Sequence, residues 1–384
     1  MDTHNHLSGL TGLRGLAALM VVFSHGSFHG MNAIGGVNLD GMGKLGVFIF
    51  FVLSSFLLTK GFLQRVATPM AIKGSLGTYF FRRFMRIYPL YVLAIFVNYI
   101  ISLVVGSFYV DSLRSVAEHL LFLDGRGIFW TIPVEFGFYF LLPFIAVFFI
   151  AWRNRPVIVF SSILGFILVW QHIYEPGYYP TVIWFLSVFL LGSLAAFLHH
   201  YLAVNHAELI VSDGFRRVAG VVAAVCVLVL LFMTPAVYSK VTGVTIDRDH
   251  FHYQFVLLGV ISSVLVLSVA WSSGAVNHFL ETRIMIYFGN ISYSLYIWHI
   301  YVANTFKRIA LDIPIPKFYV YFLVSLVVAT LSYKWVEKPF FSANSFADIR
   351  TKFSLFLSRR WLFRSGLLTK LPRKLLLLRI HRTN

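Results

Sequence analysis

Charged residues and cysteine are both scarce in this sequence. Only 12% of the 384 residues are Asp, Glu, Lys or Arg, whereas 58% are hydrophobic. Soluble globular proteins average about 25% charged and about 45–50% apolar residues, so these charges are too few to cover a soluble fold. The single cysteine, Cys226, excludes an intrachain disulfide and any metal site built from paired cysteines. The composition therefore indicates an integral membrane protein, and no metal site is predicted.

Ten hydrophobic runs are long enough to cross a bilayer core of about 30 Å. We predict an all-α polytopic membrane protein with about ten transmembrane helices, near residues 10–29, 45–64, 87–106, 128–150, 157–173, 180–200, 218–237, 254–272, 284–306 and 317–336. No linker or internal repeat separates the runs. We therefore expect one membrane domain over residues 1–340, without an attached esterase-like or other soluble domain. The first run lacks the flanking features of a signal peptide, so we expect it to be retained.

Acidic residues are also few, at 15 against 32 basic residues, which gives a net charge of +17. Between residues 341 and 384 the basic residues alternate with Leu, Phe and Trp, and Asp348 is the only acidic residue. This pattern is typical of a basic amphipathic helix on an anionic membrane surface, and it favours lipids over nucleic acid as partner. Because Lys and Arg mark cytoplasmic loops, the tail and the second, fourth and sixth loops predict that both termini are cytoplasmic.

The first hydrophobic run contains two ionisable residues, Arg14 and His25. In a helix they would lie about 16 Å apart along the axis, which is half of the hydrocarbon core. Ionisable side chains in a span are costly and usually face a polar cavity. A histidine there could act as a general base. The alternatives are a histidine bonded to a carbonyl at the membrane interface, and an arginine that extends to the lipid headgroups.

Three arginines, Arg82, Arg83 and Arg86, precede the third run. Arg82 and Arg86 are four residues apart and would share one helical face. Guanidinium groups fit phosphate oxygens well, which indicates a phosphate-binding patch. The alternative is a cytoplasmic anchor that follows from topology alone. Pro89, just inside the run, would kink or start a helix.

Polar residues also interrupt two later runs. Glu135 lies in an otherwise apolar run and should face a cavity, where it would orient a histidine, bind an acceptor hydroxyl or pair with an arginine such as Arg14. The stretch YFGNISYSLYIWHI includes Ser292, Tyr293 and His299. An interfacial aromatic belt would explain its aromatic residues better than its small hydroxyls or His299.

Six elements, in order, resemble those of the acyltransferase 3 family of integral-membrane O-acyltransferases. They are LTGLRGLAALMVVFSH, GVFIFFVLSSFLL, FFRRFMRIYPLY, WTIPVEF, FGNISYSLYIWH and SYKWVEKPF. The family's opening pattern, L-x-G-L-R-G-x-A-A-x-x-V-x-x-x-H, is present with its arginine-to-histidine spacing intact. The sequence departs from the family pattern at Phe48, Ser55, Pro133 and Phe136, which we expect to change the polarity of the acceptor pocket.

The resemblance implies an acyltransferase of the cytoplasmic (inner) membrane. It would move an acyl group, most often acetyl, from cytoplasmic acyl-CoA to a hydroxyl of a cell-surface saccharide or its lipid-linked precursor. Acyl-CoA, most often acetyl-CoA, would be a co-substrate, and no tightly bound cofactor is expected. The alternative is a multi-span transporter of a lipid-linked sugar or acyl group. Transporters often contain repeated halves, and none is visible here.

The resemblance also implies roles for individual residues. His25 would be the general base or a transient acyl carrier, and Glu135 the second catalytic residue. The CoA phosphates would be bound by four arginines, Arg14, Arg82, Arg83 and Arg86. Contacts to the substrate would come from Trp130, Ser292, Tyr293 and His299.

Overall fold

The chain is predominantly helical in the part that the computed structural model describes. This part comprises residues 5–341, apart from 36, 67, 107–108, 175–180 and 309–315, together with residue 348. Within it there is no strand, only an isolated bridge between Ile34 and Val37. The prediction of an all-α protein is confirmed. The predicted basic tail lies almost entirely outside the described residues and stays a prediction.

Each of the ten predicted runs coincides with a long helix, and five short helices connect or follow them. In chain order the helices are α1 (Asn5–Phe28), α2 (Met42–Arg65), α3 (Ile72–Val105), α4 (Leu113–Leu120), α5 (Thr131–Ala151), α6 (Pro156–Ile173), α7 (Leu186–Asn205), α8 (Ala207–Val211), α9 (Asp213–Phe232), α10 (Pro235–Thr242), α11 (Phe255–Trp271), α12 (Ala275–Leu280), α13 (Arg283–Arg308), α14 (Lys317–Ser332) and α15 (Lys338–Phe341). A π-helical turn, Tyr333–Glu337, joins α14 to α15.

Seven helical segments in the described part of the chain are long and apolar enough to cross a membrane. Helix α11 is apolar but has only 17 residues. Helices α1 and α13 carry more polar residues and are not among the seven. The prediction of a polytopic membrane protein is therefore confirmed, whereas the count of ten spans stays a prediction.

Helix α3 begins well before the third predicted span, which was placed from residue 87. The helix begins at Ile72, and Pro89 lies inside it. The interpretation of Pro89 as a helix start is therefore wrong. Proline is tolerated inside membrane helices because neighbouring groups can satisfy the backbone carbonyl that it leaves unpaired. The three arginines consequently belong to the helix and not to the preceding loop.

Helix α1 packs closely against α13, and the two helices run in the same direction. A β-carbon built on Gly15 would lie 2.8 Å from the Gly289 nitrogen, and one built on Gly289 would lie 2.0 Å from the Thr11 carbonyl oxygen. Only glycine permits so close an approach of two backbones. Ten residues further along both helices, about 15 Å away, His25 contacts His299. The glycine contact therefore fixes the register that pairs the histidines.

Helix α2 lies antiparallel to α1 on another side. A β-carbon on Gly46 would lie 2.6 Å from the Ala17 carbonyl oxygen, and one on Gly43 would lie 3.2 Å from the Ser24 side chain. The first half of α2 therefore lies beside the second half of α1, and its residues reach the neighbourhood of His25.

We predict that Gly289→Ala destabilises the protein, because its new methyl group meets backbone atoms that cannot move independently. Overpacking of this kind costs about 1–3 kcal/mol. The matched control is Gly165→Ala in α6, where nothing lies within 4 Å of the added carbon. The measurement is the thermal unfolding midpoint in detergent micelles. Equal midpoints for the two variants would contradict the close contact between α1 and α13.

Candidate active site

A cavity of about 300 Å³ lies among α1, α2, α3, α5 and α13. Three arginines, Arg14, Arg83 and Arg86, line it together with Glu135. We call it the arginine cavity. Three guanidinium groups against one carboxylate give its lining an excess of positive charge, which suits an anionic ligand. Hydroxyl groups complete the polar part of the lining: Ser54, Thr131, Tyr139, Ser292, Tyr293 and Tyr296.

The arginines of α3 are arranged differently from the predicted pairing. Arg83 and Arg86 line the cavity, whereas Arg82 is not among its lining residues. Positions three residues apart in a helix also share a face, so Arg83 and Arg86 project together. The pairing of Arg82 with Arg86 on the binding face does not match the cavity.

Two hydroxyl groups hold the Glu135 carboxylate in place. Ser54 of α2 donates to Glu135 Oε1 at 2.5 Å, and Tyr139, one turn further along α5, donates to the same oxygen at 2.6 Å. Arg14 and Arg83 interact with this carboxylate electrostatically. Glu135 therefore belongs to the arginine cavity.

A second cavity of about 300 Å³ lies beside His25. Its lining includes Lys44 from α2, Trp130 from the turn before α5, and Arg248 and His252 from the segment before α11. We call it the histidine cavity. Basic groups and an aromatic ring thus lie beside His25, in a lining that also contains Asp249 and backbone glycines.

A chain of hydrogen bonds fixes which nitrogen of His25 is available for chemistry. His299 Nδ1 donates to the Leu295 carbonyl oxygen at 3.0 Å, which leaves Nε2 of the neutral ring as an acceptor. His25 Nδ1 lies 2.7 Å from this nitrogen and donates to it. His25 Nε2 then carries a free lone pair. This is the tautomer that a general base requires.

The fully buried His299 therefore orients His25. Glu135, which the sequence analysis considered for this role, contacts Ser54 and Tyr139 instead. The pairing of two histidines 274 residues apart was not visible in the sequence.

Val47 and Tyr296 line both cavities. The Tyr296 hydroxyl donates to the Ile128 carbonyl oxygen at 2.8 Å and accepts from Thr131 at 3.2 Å. The two cavities are thus neighbours that meet at these two side chains, with the arginines on one side and His25 on the other.

The segment before α11 is tied to the start of α2. The His252 ring bridges Asp249, at 2.6 Å, and the Gly41 carbonyl oxygen, at 2.8 Å. Burial lowers the pKa of His252, and these two hydrogen-bond partners act in the opposite direction. Arg248 forms an ion pair with Asp40 at 3.5 Å. These contacts hold Arg248, Asp249 and His252 in the lining of the histidine cavity.

Three of the four predicted substrate-contacting residues line one or the other cavity. Ser292 and Tyr293 line the arginine cavity, Trp130 lines the histidine cavity, and His299 lies behind His25. Their contacts to the substrate stay a prediction. Within the described residues, no group of three or more His, Cys, Asp or Glu side chains could hold a metal ion.

Three titratable residues in or near these cavities were not singled out from the sequence. Lys44 falls at the edge of a predicted span on the side expected to be poor in basic residues, which was its only signal. His252 lies in a loop with no recognisable motif. Glu337 belongs to the last family element. It is buried, accepts a hydrogen bond from Ser294 at 3.0 Å and interacts electrostatically with Arg86.

Known proteins are similar to this chain over most of its length. The peptidoglycan O-acetyltransferase OatA of Listeria monocytogenes is 22% identical over 371 residues, which is 88% of this chain and 56% of that protein. A Staphylococcus aureus protein named "Putative O-acetyltransferase" is 25% identical over 87% of this chain and 57% of its own length. The chain thus spans a little over half the length of these relatives. No solved structure matches it.

The polar residues of the two cavities fall within the six sequence elements or in the segments between them. A family described as "Acyltransferase domain" matches residues 7–334, which include both cavities. This protein therefore belongs to the acyltransferase 3 family.

Proposed function

We propose that this protein is a membrane-bound O-acetyltransferase that acts on a hydroxyl of a cell-wall saccharide, with acetyl-CoA as donor. The observation that carries the proposal is the meeting of the two cavities at Val47 and Tyr296, with arginines on one side and an oriented histidine on the other. The peptidoglycan O-acetyltransferase name of a relative supports the acceptor class.

The arginine cavity would receive the donor. CoA carries several phosphate charges, and Arg14, Arg83 and Arg86 provide guanidinium groups that can bind phosphate oxygens in pairs. Glu135 and Glu337 offset part of this positive charge through their electrostatic interactions with Arg14, Arg83 and Arg86. The thioester of the donor would then reach the junction between the cavities.

His25 would act on the acceptor. Its free Nε2 takes the proton of the acceptor hydroxyl while the hydroxyl oxygen attacks the thioester carbonyl carbon. The carbon–sulfur bond then breaks, and the CoA thiolate takes the proton from the His25 imidazolium. An acetyl-histidine intermediate is the alternative order of events, in which the same Nε2 attacks the thioester first.

The topology predicted from charge gives the reaction a direction. Arg14 lies in the first half of α1 and Arg83 and Arg86 in the first half of α3, both on the side predicted to be cytoplasmic, where acetyl-CoA is made. His25 lies towards the opposite side. The acetyl group would therefore cross the inner membrane during the reaction, and the acceptor would bind from outside.

We expect His25→Ala to reduce acetyl transfer by about 10²–10⁴-fold, the typical contribution of a positioned base. The KM for acetyl-CoA should remain close to that of the wild type, because the arginine cavity is unchanged. The measurement is transfer of label from radiolabelled acetyl-CoA to cell-wall glycan by purified protein in proteoliposomes. The matched control is His172→Ala, at an exposed position of α6.

Two outcomes of this assay would contradict the proposal. Normal transfer by His25→Ala would remove the assigned base. Uptake of label into vesicles by the wild type, without acetylated glycan, would favour the transporter.

The combined change of Arg83→Ala and Arg86→Ala should raise the KM for acetyl-CoA. Loss of one charge-assisted hydrogen bond costs about 1.5–3 kcal/mol, so an increase of about tenfold or more is expected. The control Lys73→Ala removes an exposed charge from the same helix. An unchanged donor KM in the double variant would exclude these arginines as the donor site.

A further inference from the structure

Lys44 is a cation held by aromatic rings inside the histidine cavity. Its Nζ lies 4.6 Å from the centre of the Trp130 ring and 5.7 Å from that of Phe185. Among the described residues, no carboxylate oxygen lies close enough to Lys44 Nζ to form an ion pair with it. The ammonium group therefore enters the cavity with ring faces, and no anion, as its close partners.

Three of the neighbouring basic side chains of the cavity already have polar partners. Arg248 pairs with Asp40 at 3.5 Å. The His252 ring contacts Asp249 at 2.6 Å, and His25 contacts His299. Asp249 attracts Lys44 and Arg248 repels it, both at longer range. Lys44 is thus the cavity-lining cation without a counter-ion at contact distance in the described structure.

A partly buried charge without a counter-ion is costly, and a ring face replaces only part of the lost hydration. A ligand that brings one negative charge to Lys44 would recover this cost. The cavity of about 300 Å³ has room for a group the size of a sugar ring. One unit of positive charge matches one carboxylate better than a diphosphate, which brings at least two negative charges.

We propose that Lys44 binds a carboxylate of the acceptor, so that the acceptor is an acidic saccharide. Trp130 is then a positioning residue that holds the ammonium group towards the cavity. Since Lys44 and His25 line one cavity, a sugar bound by its carboxylate can present a hydroxyl to His25 Nε2. This inference rests on the proposed transferase function and adds the charge of the acceptor to it.

The test compares two forms of one acceptor. Peptidoglycan glycan strands are freed of their peptides and used either with intact carboxylates or after conversion of the carboxylates to methyl amides. The hydroxyl groups are the same in both forms. Transfer from radiolabelled acetyl-CoA is measured in proteoliposomes for the wild type and for Lys44→Gln, Lys44→Arg and Lys60→Gln. Lys60 lies on the same helix as Lys44, about 24 Å away along the axis, and serves as the control.

The wild type and Lys60→Gln should prefer the intact strands, with a KM about tenfold to hundredfold lower than for the amidated strands. Lys44→Gln should lose this preference, and Lys44→Arg should retain part of it. The unchanged KM for acetyl-CoA shows that each variant is folded. Trp130→Leu should raise the KM for intact strands with little change in kcat, and Trp130→Phe should restore part of the loss.

Each other outcome overturns a defined statement. Equal use of both strands by the wild type would exclude a carboxylate-binding site while the transferase function stands. Equal losses on both strands in Lys44→Gln would assign Lys44 to the reaction itself, and not to acceptor binding. No transfer to either strand by the wild type would overturn the proposed acceptor class, and this inference with it.

Discussion

The backbone contact between α1 and α13 is the constraint on which the site depends. Gly15 and Gly289 let the two parallel helices approach until a single methyl group would collide with the opposite backbone. In a bilayer, where lipid is as apolar as the side chains, such close packing is a main source of helix association. The same register brings His25 against His299, which sets the tautomer of the proposed base. Packing and chemistry are therefore linked through one pair of helices.

Much of the fold follows from the sequence because a bilayer demands long apolar segments with internally bonded backbones. Each of the ten predicted runs is helical for this reason. The start of α3 could not be predicted, since the segment from Ile72 is too polar to count as a span and yet continues the same helix across Pro89. The sequence motifs likewise indicated Arg14, His25 and Glu135 as residues facing a cavity. Arg14 and Glu135 line the arginine cavity, and His25 lines the histidine cavity.

The contacts between these residues could not be predicted from the sequence, because they join helices that are far apart in the chain. His25 meets His299 across 274 residues, and Ser54 meets Glu135 across 81. Glu135 was expected to orient a histidine, bind an acceptor hydroxyl or pair with an arginine such as Arg14. It lies with Arg14 in the arginine cavity, where Ser54 and Tyr139 donate hydrogen bonds to it. Lys44 had no motif, and only its position over Trp130 indicates a role. The ionisable side chains are thus divided between the arginine cavity and the histidine cavity, which meet at Val47 and Tyr296. This division suits a donor and an acceptor that arrive from opposite faces of the membrane.

The most direct test of this account is the sidedness of the reaction. Proteoliposomes are prepared with radiolabelled acetyl-CoA sealed inside and glycan strands outside, or with both substrates outside and none inside. Because neither substrate crosses the bilayer, each protein molecule, whatever its orientation, can receive both only when they are on opposite sides. We expect labelled glycan in the first arrangement and none in the second. Equal labelling when both substrates are outside would show that they enter from the same face, and would contradict a path from the arginine cavity to His25.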